Sequence, residues 1–410
     1  MRHSARGRTR PTRASAEAPN LWRDWLGASG VPAPLDRFLS ARRVDHDAFL
    51  QLTRAAAWAA AALDILEPGA PPAGGQPLCE RLRRLNPREV LGVSALLAGR
   101  DGPPALQRRV KAWVARRDDD PSWVSRCLRH GVPAGFAPAV KRWAARRGDD
   151  SGVDAWLAAQ ARRAPLWVRT RSPDSAAALR RDGLTVVEAD GALRVSGPMP
   201  ILTTDAWRRG LIEVQDLASQ RCGALAALAP GQLAWDVCAG RGGKTTQLAD
   251  ALRGRGAVHA TDVDPRKLEA LRVRTRRAGL ADVVRIHTWD GRTLPAFGPE
   301  ARRGFDVVLV DAPCSATGTW RRNPDARLRV HPDEIAGFAD LQRSLLGLGV
   351  RALRPGGKLV YVTCSWCEAE DEDVVEAVAA EHGLRVLSAE RFGPPKLDSD
   401  TLFGAVLTRG

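Results

Sequence analysis

Apolar residues recur at helical spacing through roughly the first 165 residues. The segments with this period are 46–66, 79–97, 105–117, 122–130, 139–147 and 153–163. Glu67 and the Pro68-Gly69 pair mark the end of the first segment, and Pro87 is expected to break the second. The front half of the chain is therefore predicted to be all helical.

Four tryptophans lie in these predicted helices: Trp113, Trp123, Trp143 and Trp156. Exposed tryptophans could stack on the bases of an RNA. A tryptophan at helical spacing more often packs in a core, and we expect this for each of the four.

The second half alternates short apolar runs with helical segments. Strands are predicted at 233–238, 257–262, 283–287, 305–310 and 358–363, and helices at 244–252 and 265–278. A smaller mixed segment precedes them, with strands at 166–171, 184–188 and 193–196 and a helix at 172–182. This alternation is typical of an α/β fold with a parallel, doubly wound sheet. We expect a disordered basic arm (1–20), a helical domain (21–164), a small α+β linker segment (165–204) and a catalytic domain (205–410).

Composition and charge indicate the kind of molecule that the chain could bind. Charged residues make up 27% and hydrophobic residues 44%, which excludes collagen-like and wholly disordered chains. The net charge is +15, with 33 basic against 20 acidic residues in 1–200 and 29 against 27 in 201–410. A basic front half suggests a module that binds a polyanion. However, 56 of the 62 basic residues are arginine, as GC-rich coding would also produce.

The seven cysteines are an odd number at scattered positions, which does not suggest a disulfide framework. They favour the reducing cytoplasm, with an arginine-rich transit peptide within residues 1–13 as the alternative. The apolar stretch 55–66 is expected to be too short to cross a membrane. We expect a cytoplasmic monomer that binds neither a membrane nor a metal.

A glycine-rich loop follows the first strand of the second half. It runs Asp236-Val237-Cys238-Ala239-Gly240-Arg241-Gly242-Gly243-Lys244-Thr245 and opens a helix. Glycines let the backbone approach a ligand, and a helix N-terminus favours anionic groups. The loop nearly matches a phosphate-binding P-loop, but Cys238 stands where that motif needs its first glycine. Since Asp311 ends an apolar strand as a magnesium ligand would, a nucleotide hydrolase is an alternative at this point.

Acidic residues end the next two strands. Asp262 lies about 20 residues beyond the glycines, where a carboxylate holds the ribose of a bound nucleoside. Asp290 follows the third strand and could reach the ribose or the adenine in the same way. Each acid alone would more often cap a helix or a turn, but together they favour an adenosine ligand.

Two cysteines lie at the carboxyl ends of later strands, where open α/β sheets place their sites. The segments are Asp311-Ala312-Pro313-Cys314-Ser315-Ala316-Thr317-Gly318 and Tyr361-Val362-Thr363-Cys364-Ser365-Trp366-Cys367. A nucleophilic cysteine reacts as its thiolate. Cys364-x-x-Cys367 also fits a zinc or redox interpretation, but no second pair lies at metal-ligand spacing.

A reactive thiolate beside an adenosine site suits one reaction well. Cytosine C5 is a poor nucleophile, and a thiolate that adds to C6 makes C5 reactive toward an electrophilic methyl group. A second group must then help to remove the C5 proton and release the enzyme.

The chain from about residue 165 onward resembles the RNA (cytosine-5) methyltransferases, closest to the bacterial 16S ribosomal RNA branch. The matching segments are 214–216 with Gln220, 236–245, 262–264, 311–318 continued by Arg321-Arg322-Asn323-Pro324-Asp325, and Thr363-Cys364-Ser365. The resemblance implies a doubly wound, Rossmann-like methyltransferase domain and S-adenosyl-L-methionine (S-adenosylmethionine below) as the cofactor.

The resemblance also implies the role of each matching residue. Cys364 would be the nucleophile, and Cys314 would assist breakdown of the covalent adduct. Asp311 would contact the cytosine ring, and Lys244 would lie near this centre, where its charge favours a thiolate. The residues implied to bind the cofactor are Cys238, Ala239, Gly240, Arg241, Gly242, Gly243, Lys244, Asp262, Asp290 and Asp311.

The chain departs from the family pattern at two places. Gly240-Arg241 stands where the family usually has Ala-Pro, and Glu370-Asp371 where it has an acid followed by Asn. The helical front half resembles only loosely the RNA-binding domain of the nearest ribosomal RNA enzymes. We expect 16S ribosomal RNA as the substrate, with transfer RNA as the alternative. A catalytically weak, RNA-binding ribosome assembly factor is the alternative to an active enzyme.

Overall fold

A computed structural model of the chain describes residues 13–28, 31–42, 44–68, 78–147 and 151–409. The chain forms two compact units, and neither is one continuous stretch of sequence. The first combines Met1–Arg162 with Trp320–Pro332, and the second combines Arg163–Thr319 with Asp333–Gly410. The predicted catalytic domain, 205–410, is thus interrupted by a segment that folds with the helical unit. The predicted arm, 1–20, lies mostly outside the described residues, and a helix already begins at Arg13.

The described residues form helices and strands in the following order. The helices are α1 (Arg13–Leu26), α2 (Leu35–Arg42), α3 (His46–Leu66), α4 (Leu78–Leu82), α5 (Pro87–Leu97), α6 (Pro104–Asp118), α7 (Trp123–Arg129), α8 (Ala137–Arg147), α9 (Ser151–Gln160), α10 (Ser175–Arg181), α11 (Asp205–Arg208), α12 (Leu217–Ala224), α13 (Gly243–Ala251), α14 (Pro265–Arg277), α15 (Ala326–Arg329), α16 (Ile335–Ala352) and α17 (Glu372–His382). The strands are β1 (Leu166–Thr170), β2 (Thr185–Ala189), β3 (Ala192–Ser196), β4 (Ile212–Val214), β5 (Leu233–Asp236), β6 (Ala257–Asp262), β7 (Val284–Thr288), β8 (Phe305–Asp311), β9 (Leu353–Thr363), β10 (Arg385–Phe392) and β11 (Leu402–Thr408).

Helix α3 is the centre of the helical unit. Its N-terminus is capped by Asp45, whose Oδ1 accepts a hydrogen bond from the Ala48 N–H at 2.8 Å. It packs against α1 and α5 in a core that includes Trp22, Leu52 and Trp58. With 21 residues, α3 is long and apolar enough to cross a membrane, so the expectation that this stretch is too short was wrong. Most of its surface is buried in this core, which accounts for its apolar composition.

The tryptophans of the helical unit are mainly core residues, as expected. Trp113, Trp143 and Trp156 are buried. Trp123 is half-buried, and the guanidinium carbon of Arg126 lies 4.3 Å from its ring centroid.

A buried arginine fixes the returning segment, 320–332, in the helical unit. The Nη1 group of Arg327 donates to the carbonyl oxygens of Ala57 at 2.7 Å and Gly131 at 2.8 Å. Its Nη2 group donates to the carbonyl oxygens of Gln160 at 3.0 Å and Trp320 at 3.3 Å. Burial lowers the pKa of Arg327 to about 9. The four carbonyls replace water around the cation.

The second unit contains two sheets. The small sheet is antiparallel with strand order β2-β3-β1-β4, so the mixed segment extends beyond residue 204 to β4. The large sheet has the order β10-β11-β9-β8-β5-β6-β7. Strands β5 to β9 pair with one another in parallel, as predicted, whereas β11 is antiparallel to β9 and β10 is antiparallel to β11. These last two strands were not predicted from the sequence.

The chain order of the large sheet reverses between β5 and β8. Successive strands run outward from β5 through β6 to β7 on one side, and from β8 to β9 on the other. Open α/β sheets bind ligands at such a point, outside the carboxyl ends of the strands. Two apolar clusters cover the two faces of this sheet, so its edge rather than its face is left for a site. The predicted site segments all follow strands that end there.

Candidate active site

The glycine-rich loop is held at the end of β5 by buried polar contacts. The Thr245 hydroxyl donates to Asp236 Oδ2 at 2.6 Å, and burial raises the pKa of Asp236 to about 7. Gly242 is the N-cap residue of α13 and has φ +86°. A Cβ atom there would lie 2.2 Å from Leu271 Cδ1, so both the backbone angle and the packing require glycine.

The loop leaves space beside Gly240. A Cβ atom on Gly240 would meet nothing closer than the Cys238 carbonyl oxygen, at 4.0 Å. The Gly240 N–H donates to Asp262 Oδ2 at 2.9 Å, which joins the loop to the end of β6. The Asp262 carboxylate is 6% exposed, and the next residue, Val263, is 60% exposed. The open space beside Gly240, the Asp262 carboxylate and the exposed Val263 side chain thus lie next to one another.

S-adenosylmethionine fits this arrangement. A carboxylate at the end of the second strand is where a nucleoside ribose is held, and Asp262 occupies that place. The space at Gly240 lets the backbone approach a ligand, and Val263 offers an apolar surface for a base. In the described ranges, no three His, Cys, Asp or Glu side chains are grouped as a metal site would need.

The other residues of the predicted cofactor loop show fewer side-chain contacts that bear on a ligand. Ala239 is buried and Gly243 begins α13. Cys238 is half-buried against the core on one face of the sheet, and burial raises the pKa of its thiol. Arg241 is exposed, and its carbonyl oxygen accepts from Arg274 Nη1 at 3.2 Å. For Cys238 and Arg241, the structure therefore shows backbone placement rather than side-chain chemistry.

Asp290 lies just beyond β7 and binds its own loop. Its Oδ1 accepts from the N–H groups of Arg292 at 2.8 Å and Thr293 at 3.1 Å, and its Oδ2 accepts from the Thr293 hydroxyl at 3.0 Å. These backbone hydrogen bonds lower the pKa of the carboxyl group. The structure thus shows the turn-capping role that a lone acid more often has, and it shows no contact between Asp290 and Asp262.

Lys244 and Asp311 form an ion pair across the strand ends. Lys244 Nζ lies 2.8 Å from Asp311 Oδ2, and their side chains are 7% and 33% exposed. Burial disfavours the charged ammonium, but the Asp311 carboxylate and other nearby groups together outweigh this effect, so the pKa of Lys244 is raised. A charged lysine is thus held beside the carboxylate that the sequence places in the catalytic centre.

The two predicted catalytic cysteines are in contact. Cys314 Sγ lies 3.3 Å from Cys364 Sγ, and both residues are half-buried. The contact with Cys364, together with burial, raises the pKa of Cys314 well above its ordinary value. Cys314 therefore keeps its proton and can act as a proton donor.

The pairing of two strands brings these cysteines together. In the parallel ladder, Asp311 of β8 lies opposite Val362 of β9, and the Ala312 N–H donates to the Val362 carbonyl oxygen at 2.9 Å. Cys314 follows the end of β8 by three residues and Cys364 follows the end of β9 by one, so both lie at the same edge of the sheet. The Gly318 N–H then donates to the Cys364 carbonyl oxygen at 2.9 Å and joins the two loops again.

The second cysteine of Cys364-x-x-Cys367 takes no part in this contact. Cys367 is buried, and its Sγ lies 3.8 Å from the Thr317 hydroxyl. Burial raises the pKa of its thiol, which favours the inert, protonated form. The sulfur that Cys364 meets is that of Cys314, which argues against the zinc and redox interpretations.

Two buried acids behind the cysteines were overlooked as site residues in the sequence analysis. Glu370 accepts hydrogen bonds from the residues that follow both cysteines, Ser315 and Ser365. Asp371 accepts from the Thr363 hydroxyl at 2.5 Å and pairs with Arg391 Nη2 at 2.8 Å. Their position shortly after the nucleophile motif was the available signal, but from the sequence they were considered only in the comparison with the family pattern, from which Asp371 departs.

Burial raises the pKa of Asp371 to about 8, against the opposing effect of Arg391. Arg391 also pairs with Glu372, at 2.6 Å, and is itself nearly buried. The acid that replaces the family's asparagine thus has a cation of its own.

Comparison with known proteins identifies the family. The family profile described as "16S rRNA methyltransferase RsmB/F" matches residues 224–401. The "Ribosomal RNA small subunit methyltransferase B" of Xanthomonas campestris is 33% identical over 374 residues, which cover 85% of this chain and 80% of that protein. The chain belongs to the RsmB/F family of 16S rRNA methyltransferases.

Two further comparisons fit this assignment. The protein of the same name from Sodalis glossinidius is 32% identical over 273 residues, covering 64% of this chain and 57% of that protein. The crystal structure of a methyltransferase homolog protein from Pyrococcus horikoshii has a TM-score of 0.59 and 25% identity, covering 71% of this chain and all of that one. The chain is therefore an S-adenosylmethionine-dependent RNA methyltransferase with the predicted Rossmann-like fold. This result excludes the nucleotide hydrolase alternative.

Proposed function

We propose that this enzyme transfers a methyl group to C5 of a cytosine in RNA, through a covalent bond between Cys364 and C6 of the base. The observation that carries the proposal is the 3.3 Å contact between the sulfurs of Cys314 and Cys364. Methylation at C5 needs a nucleophile at C6 and a second group that helps to undo the adduct. Two cysteines in contact beside the Lys244–Asp311 pair supply both.

The nucleophile acts first. The Cys364 thiolate adds to C6, and the electron pair of the C5–C6 double bond moves onto C5, which makes that carbon nucleophilic. When bound, S-adenosylmethionine supplies the electrophilic methyl group that C5 takes up. Cys314 then passes its proton to the departing Cys364 sulfur, 3.3 Å away, and its own sulfur takes up the C5 proton. The electron pair of the C5–H bond restores the C5–C6 double bond as the Cys364–C6 bond breaks, so both cysteines end as thiols.

The protonation state of Cys314 supports its role. Cys314 has a raised pKa and retains its proton, so it is suited to proton transfer during adduct breakdown rather than to attack. The charged Lys244, 2.8 Å from Asp311, favours negative charge in this centre. Asp311 would bind the cytosine ring from the end of β8, where its side chain is one-third exposed.

The cofactor residues follow from the same strand ends. Residues 238–244 and Asp262 would hold S-adenosylmethionine, and Asp311 would lie between cofactor and base. Asp290 would contribute through the loop that it caps. We assign no metal to the reaction.

We propose 16S ribosomal RNA as the substrate, because the relatives named above are small-subunit ribosomal RNA methyltransferases. The helical unit would bind RNA phosphates in the cytoplasm, with the enzyme acting as a monomer. Its exposed basic side chains include Arg108, Arg109, Lys111 and Arg116 on α6 and Lys141 and Arg142 on α8. Binding through such contacts weakens steeply as salt rises. The target base must leave its stack to reach Cys364.

Methyl-labelled S-adenosylmethionine tests substrate and chemistry together. The enzyme is offered unmodified 16S ribosomal RNA, assembled small subunits and unmodified transfer RNA, and any 5-methylcytosine is mapped by bisulfite sequencing. Label at one ribosomal cytosine is the expected result. Label in transfer RNA would keep the chemistry and change the substrate. No label anywhere, from protein that binds the cofactor, would favour the assembly-factor alternative.

Two variants separate the roles of the cysteines. Cys314→Ala should accumulate a covalent protein–RNA adduct that survives denaturing electrophoresis, because release is slowed. Cys364→Ala should form no adduct and transfer no methyl group. Cys367→Ala is the matched control, since this neighbouring thiol takes no part, and it should behave as the wild type. An adduct formed by Cys364→Ala would reverse the assignment.

A further inference from the structure

A single buried carboxylate contacts the residues next to both catalytic cysteines. Glu370 is fully buried, at the turn that precedes α17. Its Oε2 accepts from the Ser315 hydroxyl at 2.5 Å and from the Ser365 hydroxyl at 2.7 Å. Since each serine directly follows a catalytic cysteine, Glu370 links the two cysteine loops through one oxygen atom.

The other oxygen fixes the backbone of the first loop. Glu370 Oε1 accepts from the Ser315 N–H at 2.8 Å and from Gln342 Nε2 at 3.2 Å. Gln342 also donates to the Pro313 carbonyl oxygen at 3.0 Å, so the residues on both sides of Cys314 are held. The Tyr361 hydroxyl donates to the carbonyl oxygen of Glu370 itself, at 2.5 Å, which ties the glutamate to β9.

The hydrogen-bond pattern requires an acceptor at this place. Four donors are directed at two oxygen atoms, from Ser315 twice and from Ser365 and Gln342 once each. An alanine would leave the Ser315 N–H buried without its acceptor, which is costly, and would leave the Gln342 amide with the Pro313 carbonyl alone. A glutamine would keep one oxygen for those two donors, and the two hydroxyls could reverse their direction to accept from its amide group.

We propose that Glu370 is a positioning residue that sets the contact between the sulfurs of Cys314 and Cys364. It touches neither sulfur and acts through Ser315 and Ser365. The catalytic meaning of this role rests on the proposed function, in which one cysteine attacks and the other assists release. The geometric claim does not depend on that function, because it concerns two thiols in the free enzyme.

The proximity of two thiols can be measured without RNA or cofactor. Full-length enzyme is equilibrated in buffers of oxidised and reduced glutathione. In this exchange, the two thiols give up two protons and two electrons to oxidised glutathione, yielding one protein disulfide and two molecules of reduced glutathione. The equilibrium constant of this exchange is the effective concentration of one thiol at the other. Because the sulfurs of a disulfide lie about 2.05 Å apart, this constant is high only when the two thiols are held close together. Peptide mapping assigns the 314–364 bond, and Cys367→Ala excludes a 364–367 bond.

The fall in effective concentration in each variant should follow the number of hydrogen bonds to the side chain at position 370 that the variant removes. In Glu370→Ala the effective concentration should fall about tenfold or more, the scale expected when at least two hydrogen bonds are lost. Glu370→Gln should lie between alanine and the wild type, and Ser365→Ala should show a smaller fall because one link is lost. Glu390→Gln, an exposed glutamate on β10, and Ser344→Ala, an exposed hydroxyl on α16, are the matched controls and should not change it.

A purely structural role gives a different result. Glu370→Ala would then lower the melting temperature but leave the effective concentration of the folded enzyme at the wild-type value, and that result overturns the proposal. A wild-type pair that stays reduced at every glutathione ratio would also overturn it, because the sulfurs would not be held in contact. Ser365→Ala and Glu370→Gln keep the test available if Glu370→Ala does not fold.

Turnover separates this proposal from the proposed function. For Glu370→Gln, kcat should fall while KM for RNA and cofactor stays unchanged, and the fraction of enzyme held as covalent adduct should rise because Cys314 is displaced. If the effective concentration falls as expected but Cys364→Ala still forms an adduct, the positioning role stands and the proposed function fails. If Cys364→Ala abolishes the adduct and the glutathione equilibria of all variants coincide, the function stands and the positioning role fails.

Discussion

Gly318→Ala should be among the most damaging single-methyl changes in the catalytic unit. A Cβ atom at Gly318 would lie 1.8 Å from the Thr401 carbonyl oxygen and 3.0 Å from that of Cys364. A carbon and an oxygen atom normally stay at least about 3.3 Å apart, so the backbones must separate by about 1.5 Å. Two hydrogen bonds connect the same backbones, from the Gly318 N–H to Cys364 and from the Thr401 N–H to Gly318, both 2.9 Å.

The expected magnitude combines two terms. Overpacking costs about 1–3 kcal/mol, and each strained hydrogen bond adds about 1 kcal/mol. A loss of roughly 4 kcal/mol in a unit of this size should lower the melting temperature by about 10 °C. Since the displaced loops carry both catalytic cysteines, and a 1 Å misplacement can cost about a hundredfold, methyl transfer should fall by about that factor below the melting temperature.

Differential scanning calorimetry and the labelled-methyl assay measure the two effects. The control is Gly337→Ala in α16, where a Cβ atom would meet nothing within 4 Å and the helix should gain slightly. If Gly318→Ala matched Gly337→Ala in melting temperature and activity, the close approach of these backbones would be refuted.

Two further predictions concern buried cations and histidines. Arg327→Met should lower the free energy of unfolding of the helical unit by about 3 kcal/mol, because it leaves the carbonyls of Ala57, Gly131 and Gln160 without their donor. Lys141→Met, on the exposed face of α8, is the control and should leave the free energy of unfolding unchanged. Calorimetry compares the two variants with the wild type. Burial lowers the pKa of His259 from 6.5 to about 4. Its neutral form is thus favoured by folding, so stability is full above pH 6.5 and falls as the pH drops from 6.5 toward 4. His259→Gln should lose less melting temperature between pH 7 and pH 5 than the wild type, and equal losses would contradict the reasoning.

The strand ends of the catalytic unit could be located from sequence because buried parallel strands are short, continuous apolar runs. Five of the six residues from Phe305 to Val310 are buried, and the run ends at Asp311 as predicted. Topology then places residues that follow neighbouring strands at one edge, and this is why Cys314 and Cys364 could be assigned to one site. Their order and spacing in the chain carried enough information without any contact being known.

The edge strands and the interruption of the catalytic unit were harder to predict from the sequence. Strand β10 is largely exposed and lacks the apolar run that marks β8, so it gave no comparable signal. The segment 320–332 joins the helical unit through a buried Arg327, although an arginine in a sequence ordinarily indicates exposed surface. The four carbonyls that surround it, three of them distant in sequence, account for its burial together with the Trp320 ring.

The acid at position 371 shows why a departure from a family pattern needs its three-dimensional surroundings. From the sequence, Asp371 adds a negative charge seven residues after Cys364. In the structure, its carboxylate accepts from the Thr363 hydroxyl at 2.5 Å and pairs with Arg391 at 2.8 Å, and Arg391 lies on β10, which the sequence analysis missed. A buried pair is favourable only when both partners are present, since removing one leaves a buried charge uncompensated. The substitution and its arginine therefore have to be considered as one feature, and an aspartate here is compatible with an active centre because Arg391 pairs with it.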